Sequence, residues 1–561
     1  MKKKQITFVL LFLGMFIVGT VLIFHVPMTI KITYGNSVQT DDGETISFNV
    51  FEPKTSDEKK KKAVIIGHGV MVNKEMMKGY AIELAAAGYV AVPIDFRGHG
   101  QSSGDLNHEK LVNDVEAVKG YLAERDDIDI HNLGYIGYSM GGWPGNEIVK
   151  NDEDFKAFIG VGTSLAIKKD DIAANRTLNI LMILAQFDQA FSLNEVKEQF
   201  GDYIGKDTDE IAVNRLYGSF QDGDAAKVFL DDNSDHLMTA WDQDFIREAR
   251  DWVLNTFDEV NPADPNFYVN LRFLILILQL LGGMGFFFSI CGPVSKFVLK
   301  FREDEDELPT FEFADETWTQ ITKRSLLYTL VFFIPGMILM IPLLLLLPLV
   351  LAGVLIMVLF GQAFGFLMYL WKSSNREEAS ILSLLKEPFH GTRKKIVKES
   401  IVGILLAVIL YVVLYLSIGL NYLGIIPSIV KIPWMLIYFV PLFVIFIIFQ
   451  LLLNMVLYPK IKGEQNSLSK SIGIALAILL IYLSAIILIP SIIMGNYFLT
   501  LILMVSIPIN VLAVCVAAIL YKKTGSIVPG VIIDTFILLC ILSTLSPYGF
   551  IFSLISLFAQ V

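Results

Sequence analysis

The sequence predicts an α/β domain with a mainly parallel sheet, set between an N-terminal apolar anchor and a C-terminal all-α domain of many membrane spans. Three observations predict it. Of 561 residues, 54% are hydrophobic and mean hydropathy is +0.57, too apolar for an ordinary soluble protein. The apolar residues are segregated. Residues 31 to about 266 carry mixed charge and frequent turns, whereas residues from about 267 onward are long apolar runs broken by short polar loops. Within the first region, short apolar runs alternate with helical patterns, as in a parallel sheet. The expected division is 1–30 as anchor, 31–260 as α/β domain and 261–561 as a membrane domain of about eight helices. The turn-forming stretch Asn261-Pro262-Ala263-Asp264-Pro265 marks the linker.

The elements follow in order. Met1-Lys2-Lys3-Lys4 precedes an apolar run from Ile6 to about Ile30. The run exceeds the apolar core of a cleaved leader, and no small-residue cleavage site follows it, so it predicts an uncleaved span. Two strands flank "QTDDGET" (39–45), with Asp-Asp-Gly as a hairpin turn. Buried strands are expected at "AVIIG" (63–67), "YVAVPID" (89–95), "LGYIGYS" (133–139), "FKAFIGVG" (155–162), "NILMILA" (179–185) and "AKVFLD" (226–231). Helices are expected over about 74–87, 108–124, after Ser139, and over 192–204 and 242–257.

Eight further spans are expected near 268–291, 325–346, 348–371, 400–421, 433–457, 472–494, 498–521 and 526–546, the second and third divided near Pro342 and Pro348. Basic residues in short loops set the orientation. With the N-terminus in the cytoplasm, twenty lysines and arginines fall in cytoplasmic segments, and the short outer loops hold only Lys431. The α/β domain, between the first and second spans, is then extracytoplasmic. Net charge of −11 adds little, because charge in such a chain acts loop by loop. The α/β domain holds none of the three cysteines (Cys291, Cys515 and Cys540), which excludes a disulfide framework or cysteine zinc site there.

The hexapeptide "GYSMGG" (137–142) contains G-x-S-x-G centred on Ser139. A chain this rich in glycine contains that pattern about 0.2 times by chance, so its context decides. Ser139 ends an apolar strand and opens a helix, the placement that lifts a serine hydroxyl above a sheet on a tight turn. A serine needs a base to be nucleophilic. After Ser139 only His236 and His390 remain, and His390 falls in a cytoplasmic loop, leaving His236 as base. The acid is expected after "NILMILAQFD", at Asp188, with Asp170, Asp171, Asp231, Asp232 and Asp235 as rivals. An oxyanion hole is expected from the N–H groups of Met140 and Val70, with Met71 as Val70's neighbour and His68 as a structural loop residue.

The segments "GHG" (67–69), "DFRGHGQSSG" (95–104), "GYSMGG" (137–142), "AQFD" (185–188) and "DH" (235–236), in this order, resemble the α/β-hydrolase superfamily over roughly residues 45–257. They look most like esterase and acyl-peptidase members related to prolyl oligopeptidases and dienelactone hydrolases. Ala185 stands where that pattern usually has glycine. The resemblance implies a Ser-His-Asp serine hydrolase acting on an ester, thioester or amide through an acyl-enzyme, with no metal or organic cofactor. The expected partners are a small-molecule, lipid or peptide acyl substrate and membrane lipid, without nucleic acid. The alternative is a transport or signalling membrane protein whose hydrolase-like domain only binds. Residues 189–225, including "NRLYGSFQDGDAA", have no chemical role in this reading.

In the membrane half, Asp534 is the only acid well inside an expected span and is a candidate intramembrane functional residue. Gln279, Gln362, Gln450, Asn454 and Asn510 fit helix packing. "YKKTGSIVPGVI" (521–532) and Glu377-Glu378 faintly resemble CAAX-type intramembrane proteases, but the late helices lack the histidines that such a metal site requires.

Overall fold

The computed structural model describes residues 3–54, 60–173, 176–258, 261–300, 308, 311–374, 380–463 and 466–551. Glu377 and Glu378, Lys2, Lys59, Arg302, Arg376 and most of the tail after Tyr548 lie outside the described residues. The chain forms two compact units that do not follow chain order. One comprises Met1–Gly19, Leu278–Tyr415 and Lys431–Ser543; the other comprises Thr20–Ile277, Leu416–Val430 and Thr544–Val561.

The first helix, α1 (Lys3–His25), is mostly apolar after Gln5, as expected of a span. The second unit then builds a nine-stranded sheet. Its elements are β1 (Ile30–Gln39), β2 (Thr45–Pro53), β3 (Lys61–Gly67), α2 (Lys78–Ala87), β4 (Val90–Ile94), α3 (Leu111–Ala123), β5 (Ile128–Tyr138) and α4 (Gly142–Asn151). They continue with β6 (Phe155–Val161), β7 (Asn179–Phe187), α5 (Leu193–Ile204), β8 (Leu216–Tyr217), β9 (Ala226–Asp235) and α6 (Gln243–Thr256). The strand order is β1-β2-β4-β3-β5-β6-β7-β9-β8. Strands β4, β3, β5, β6, β7 and β9 pair in parallel, whereas β1, β2 and β8 join as antiparallel edges.

Alternation along the strands explains why the sheet has two covered faces. Ile136 joins the cluster formed with α2 and α6, together with Val64, Ile66, Ile159, Leu181 and Trp252. Its neighbour Tyr135 points the other way, where a Cβ added to Gly145 of α4 would lie 2.4 Å from its ring. Chain order reverses at β3, since β4 and β5 flank it on opposite sides. Such a switch point opens a crevice at the carboxyl ends of the strands. The segment 189–225, unassigned from sequence, supplies α5 and the edge strand β8, which pairs Leu216 and Tyr217 with Lys227 and Ala226.

Two distant segments belong to this unit. Gly424 exchanges two hydrogen bonds with the Asn73 side chain, at 3.0 and 3.1 Å. Tyr548 donates its N–H to Gly98 and accepts that of Leu106. The Asn261–Pro265 stretch is anchored, not loose: Ala263 and Asp264 donate to the carbonyls of Ala87 and Ala86. Asp264 also accepts from Thr29 and Tyr268.

The remaining helices are α7 (Val269–Leu299), α8 (Trp318–Leu346), α9 (Val350–Ser373), α10 (Ile381–Lys386), α11 (Arg393–Leu414), α12 (Ile432–Gln450), α13 (Ser467–Met494), α14 (Thr500–Thr524) and α15 (Val528–Leu545). The division between α8 and α9 falls at 347–349, next to Pro348; Pro342 lies inside α8. Two stretches, Tyr415–Gly419 and Leu451–Leu457, are π-helical. Among the described residues, nine helical segments are long and apolar enough to cross a membrane, as in a multi-pass membrane protein.

Candidate active site

The elbow is built by close backbone packing. β5 runs to Tyr138, Ser139 follows with φ +50, and a short turn leads into α4. A positive φ is costly for a residue with a side chain, and such strain persists only where the surroundings impose it. The glycines of the motif permit this turn. A Cβ on Gly137 would lie 2.5 Å from the Gly141 carbonyl oxygen, and one on Gly141 would lie 2.7 Å from the Gly67 carbonyl carbon. Thr163 holds the turn from below, donating its hydroxyl to the Ser139 carbonyl at 2.8 Å.

His236 and Asp188 meet Ser139 at this point. His236 Nε2 lies 3.1 Å from Ser139 Oγ, and Nδ1 lies 2.9 and 3.0 Å from the two carboxylate oxygens of Asp188. The His236 and Asp188 side chains are 4% and 1% exposed. With the Nδ1 proton directed to the carboxylate, Nε2 accepts the Ser139 hydroxyl. Each partner is itself held. Asp188 Oδ1 accepts the N–H groups of Ala190 and Phe191. The His236 N–H donates to Gln189 Oε1, and its carbonyl accepts from Tyr138 and Thr239. Burial, reinforced by the nearby Asp188 charge, pushes the Tyr138 phenol well up, so it remains a donor.

Val70 and Met140 lie on the two segments that meet beside Ser139. A Cβ on Gly69 would fall 3.1 Å from Ser139 Cβ, and Met71, after Val70, takes φ +60. His68 is buried next to this loop and does not reach the serine: Nδ1 lies 2.6 Å from the Gly69 carbonyl, and Nε2 accepts the Phe96 N–H. The rivals for the acid are elsewhere. Asp235 caps a turn by accepting from Leu237 and Met238, and Asp231 accepts from Asn233. Asp231, Asp242 and Asp244 lie close enough to offer a metal three carboxylate oxygens. Asp242, however, already caps α6 by accepting from Asp244 and Phe245.

Several residues of the site escape a reading of the sequence. Gly162, with φ +52, turns the chain under the Asp188–His236 pair: a Cβ there would lie 3.2 Å from Asp188 Oδ2 and 3.2 Å from His236 Nδ1. Gln189 and Thr163 are two more. The only sequence signal for these positions is that they directly follow strands β6 and β7, where loops of the crevice begin. Asn73 is a fourth. It caps the turn after the Val70–Met71 loop and holds it to Gly424.

Residues 58–211 match the family model described as serine aminopeptidase, S33. An uncharacterized protein of Mycobacterium tuberculosis, found in two strains, is 29% identical over 104 residues. That match covers 18% of this chain and 36% of the relative, so the chain spans about a third of the length of these curated relatives. Among solved structures, an esterase of Pyrococcus furiosus aligns at TM-score 0.32 and 14% identity, covering 41% of this chain and 94% of the esterase. A candidate dienelactone hydrolase of Klebsiella pneumoniae aligns at TM-score 0.32 and 17% identity, covering 41% and 99%. The chain thus contains an α/β-hydrolase domain, joined in one polypeptide to apolar helices of membrane-spanning length.

Proposed function

We propose that this chain is a membrane-anchored serine hydrolase acting outside the cytoplasm on an ester, thioester or amide of a small-molecule, lipid or peptide substrate. The observation that carries the reading is the relay of Ser139, His236 and Asp188, three residues far apart in sequence held at 3.1 and 2.9 Å. Ser139 Oγ attacks the substrate carbonyl while His236 Nε2 takes its proton. Asp188 fixes the imidazole tautomer and stabilises the imidazolium. The N–H groups of Val70 and Met140 receive the developing oxyanion. His236 then returns the proton to the leaving group, and water repeats the sequence on the acyl-enzyme.

The side assignment rests on the loop charges. It is supported by the company that residues 31–260 keep. Segments 420–428 and 546–551, which the charge count puts on the same side as those residues, pack in the same compact unit. The chemistry is tested by pre-steady-state hydrolysis of a p-nitrophenyl ester by the purified full chain. An acyl-enzyme mechanism gives a burst of one p-nitrophenol per chain with wild type and none with Ser139→Ala. Folded wild type without turnover or burst contradicts it, and leaves a domain that only binds.

A further inference from the structure

The unit of apolar helices contains a second polar constellation, separate from the hydrolase chemistry. Asp534 sits in the interior of α15 and is buried. Gln450, at the end of α12 where the π-helical stretch Leu451–Leu457 begins, donates Nε2–H to Asp534 Oδ2 at 3.0 Å. π-helical turns inside α-helices occur often at functional sites. Gly530, one turn before Asp534, makes room for the amide: a Cβ there would lie 2.9 Å from both Gln450 Nε2 and Oε1. Asp534 and Gln450 line a cavity with about 30 Å³ of room, enough for a water-sized occupant. Asn454, Ser471 and Asn510 complete its polar lining, and the rest is apolar.

Two features of this cavity are unbalanced. Asp534 forms no ion pair among the described residues, and no basic side chain lines the cavity. Gln450 is 2% exposed, and its Oε1 has no hydrogen-bond partner among the described residues. An isolated carboxylate in apolar surroundings is strongly disfavoured unless a positive charge accompanies it, and a buried amide oxygen without a donor adds its own cost. One bound positive charge relieves both. A proton on Asp534 directed to Gln450 Oε1 makes a reciprocal acid–amide pair with the existing Nε2–H bond. A sodium ion is instead coordinated by the same carboxylate and amide oxygen. Gln362 also buries an amide oxygen without a hydrogen-bond partner among the described residues, but its N–H donates to the Ile478 carbonyl and not to a carboxylate, as expected of helix packing.

We propose that Asp534 and Gln450 form an intramembrane binding site for a single monovalent cation, H⁺ or Na⁺, a function distinct from acyl hydrolysis. The test uses the full chain in detergent and a hydrophobic carbodiimide, which reacts with protonated carboxyl groups, with adducts mapped by mass spectrometry. An adduct is expected on Asp534. If the cation is a proton, labelling falls roughly tenfold per pH unit on the alkaline side of its midpoint and ignores Na⁺. If it is sodium, NaCl suppresses labelling at fixed pH and choline chloride does not. Labelling that responds to neither pH nor Na⁺ overturns the proposal, as does no labelling of folded wild type. Gln450→Leu retains the carboxyl and should shift the pH midpoint or weaken Na⁺ protection; a response equal to wild type overturns the role of the amide. Asp534→Asn serves as the blank.

Discussion

Asp188→Asn is the substitution that most sharply separates a working relay from a chance meeting of side chains. The structure dictates which way the new amide points. Asp188 Oδ1 accepts two backbone N–H groups, from Ala190 and Phe191, both at 2.8 Å. The asparagine oxygen must stay there to keep them satisfied, which puts the NH2 group where Oδ2 now faces His236 Nδ1 at 2.9 Å. A donor at that place favours an unprotonated Nδ1, against the 3.0 Å contact that the amide oxygen keeps with it. The proton then moves to Nε2, which can no longer accept the Ser139 hydroxyl. A wrong tautomer of this kind costs about 10⁴ in kcat, or about 5.5 kcal/mol of transition-state stabilisation. Stability changes little, because the backbone bonds persist. The assay is ester hydrolysis by the full chain, with thermal unfolding as the folding control and Asp235→Asn as comparison. Asp235 accepts only turn N–H groups, which asparagine also does, so its activity should stay near wild type. A folded Asp188→Asn enzyme within tenfold of wild type refutes the reasoning, and so does an equal loss in Asp235→Asn.

Three further outcomes follow from the same geometry. Gly162→Ala puts a side chain at φ +52, a strain of about 1–2 kcal/mol, and a Cβ 3.2 Å from the Asp188–His236 pair; kcat should fall at least about tenfold with little change in KM, and an unchanged kcat counts against the placement of this turn. Asn73→Ala leaves the buried N–H and carbonyl of Gly424 without their partners; a loss of about 2–4 kcal/mol should lower the unfolding midpoint and slow the acyl-enzyme burst, whereas a midpoint equal to wild type would contradict the clamp. Burial pushes the Glu83 carboxyl up to about 7 against the Tyr268 N–H that favours its charge. A raised carboxyl contributes stability below its ordinary pKa of 4.5 that is lost as pH rises through about 7. Glu83→Gln should remove that loss, so that variant and wild type diverge by an amount of order 1–3 kcal/mol across this window; parallel pH–stability curves would show that Glu83 does not titrate there.

The sheet, the apolar helices and the meeting of Ser139, His236 and Asp188 were legible because each has a local signal. The end of β5, "LGYIGY", is apolar up to Ser139, the strand "NILMILA" ends three residues before Asp188, and one histidine remained on the same side of the charge count as Ser139. What supports the site was not legible, because it depends on contacts between residues far apart. Gly162 and Thr163 look like any small residues after a strand until the Asp188 loop packs on them. The attachment of Gly424 to Asn73, and of Tyr548 to Gly98, joins residues hundreds of positions apart with no periodicity to announce it. The same holds for Asn261–Pro265, whose composition suggests a loose linker while its N–H groups close the end of α2. Edge strand β8 is too short to show alternation. Asp534 stood out as an acid in an apolar run, but its Gln450 partner and the cavity between them needed the packing of α12 against α15.

The central claim is that Ser139 is a nucleophile exposed to the outside of the cell. It is tested most directly by treating intact cells with a membrane-impermeant fluorophosphonate and mapping the adduct by peptide mass spectrometry. The account predicts an adduct on Ser139 in intact cells and none in Ser139→Ala. An adduct that forms only in inverted vesicles would contradict the orientation, and folded wild type without any adduct would contradict the nucleophile itself.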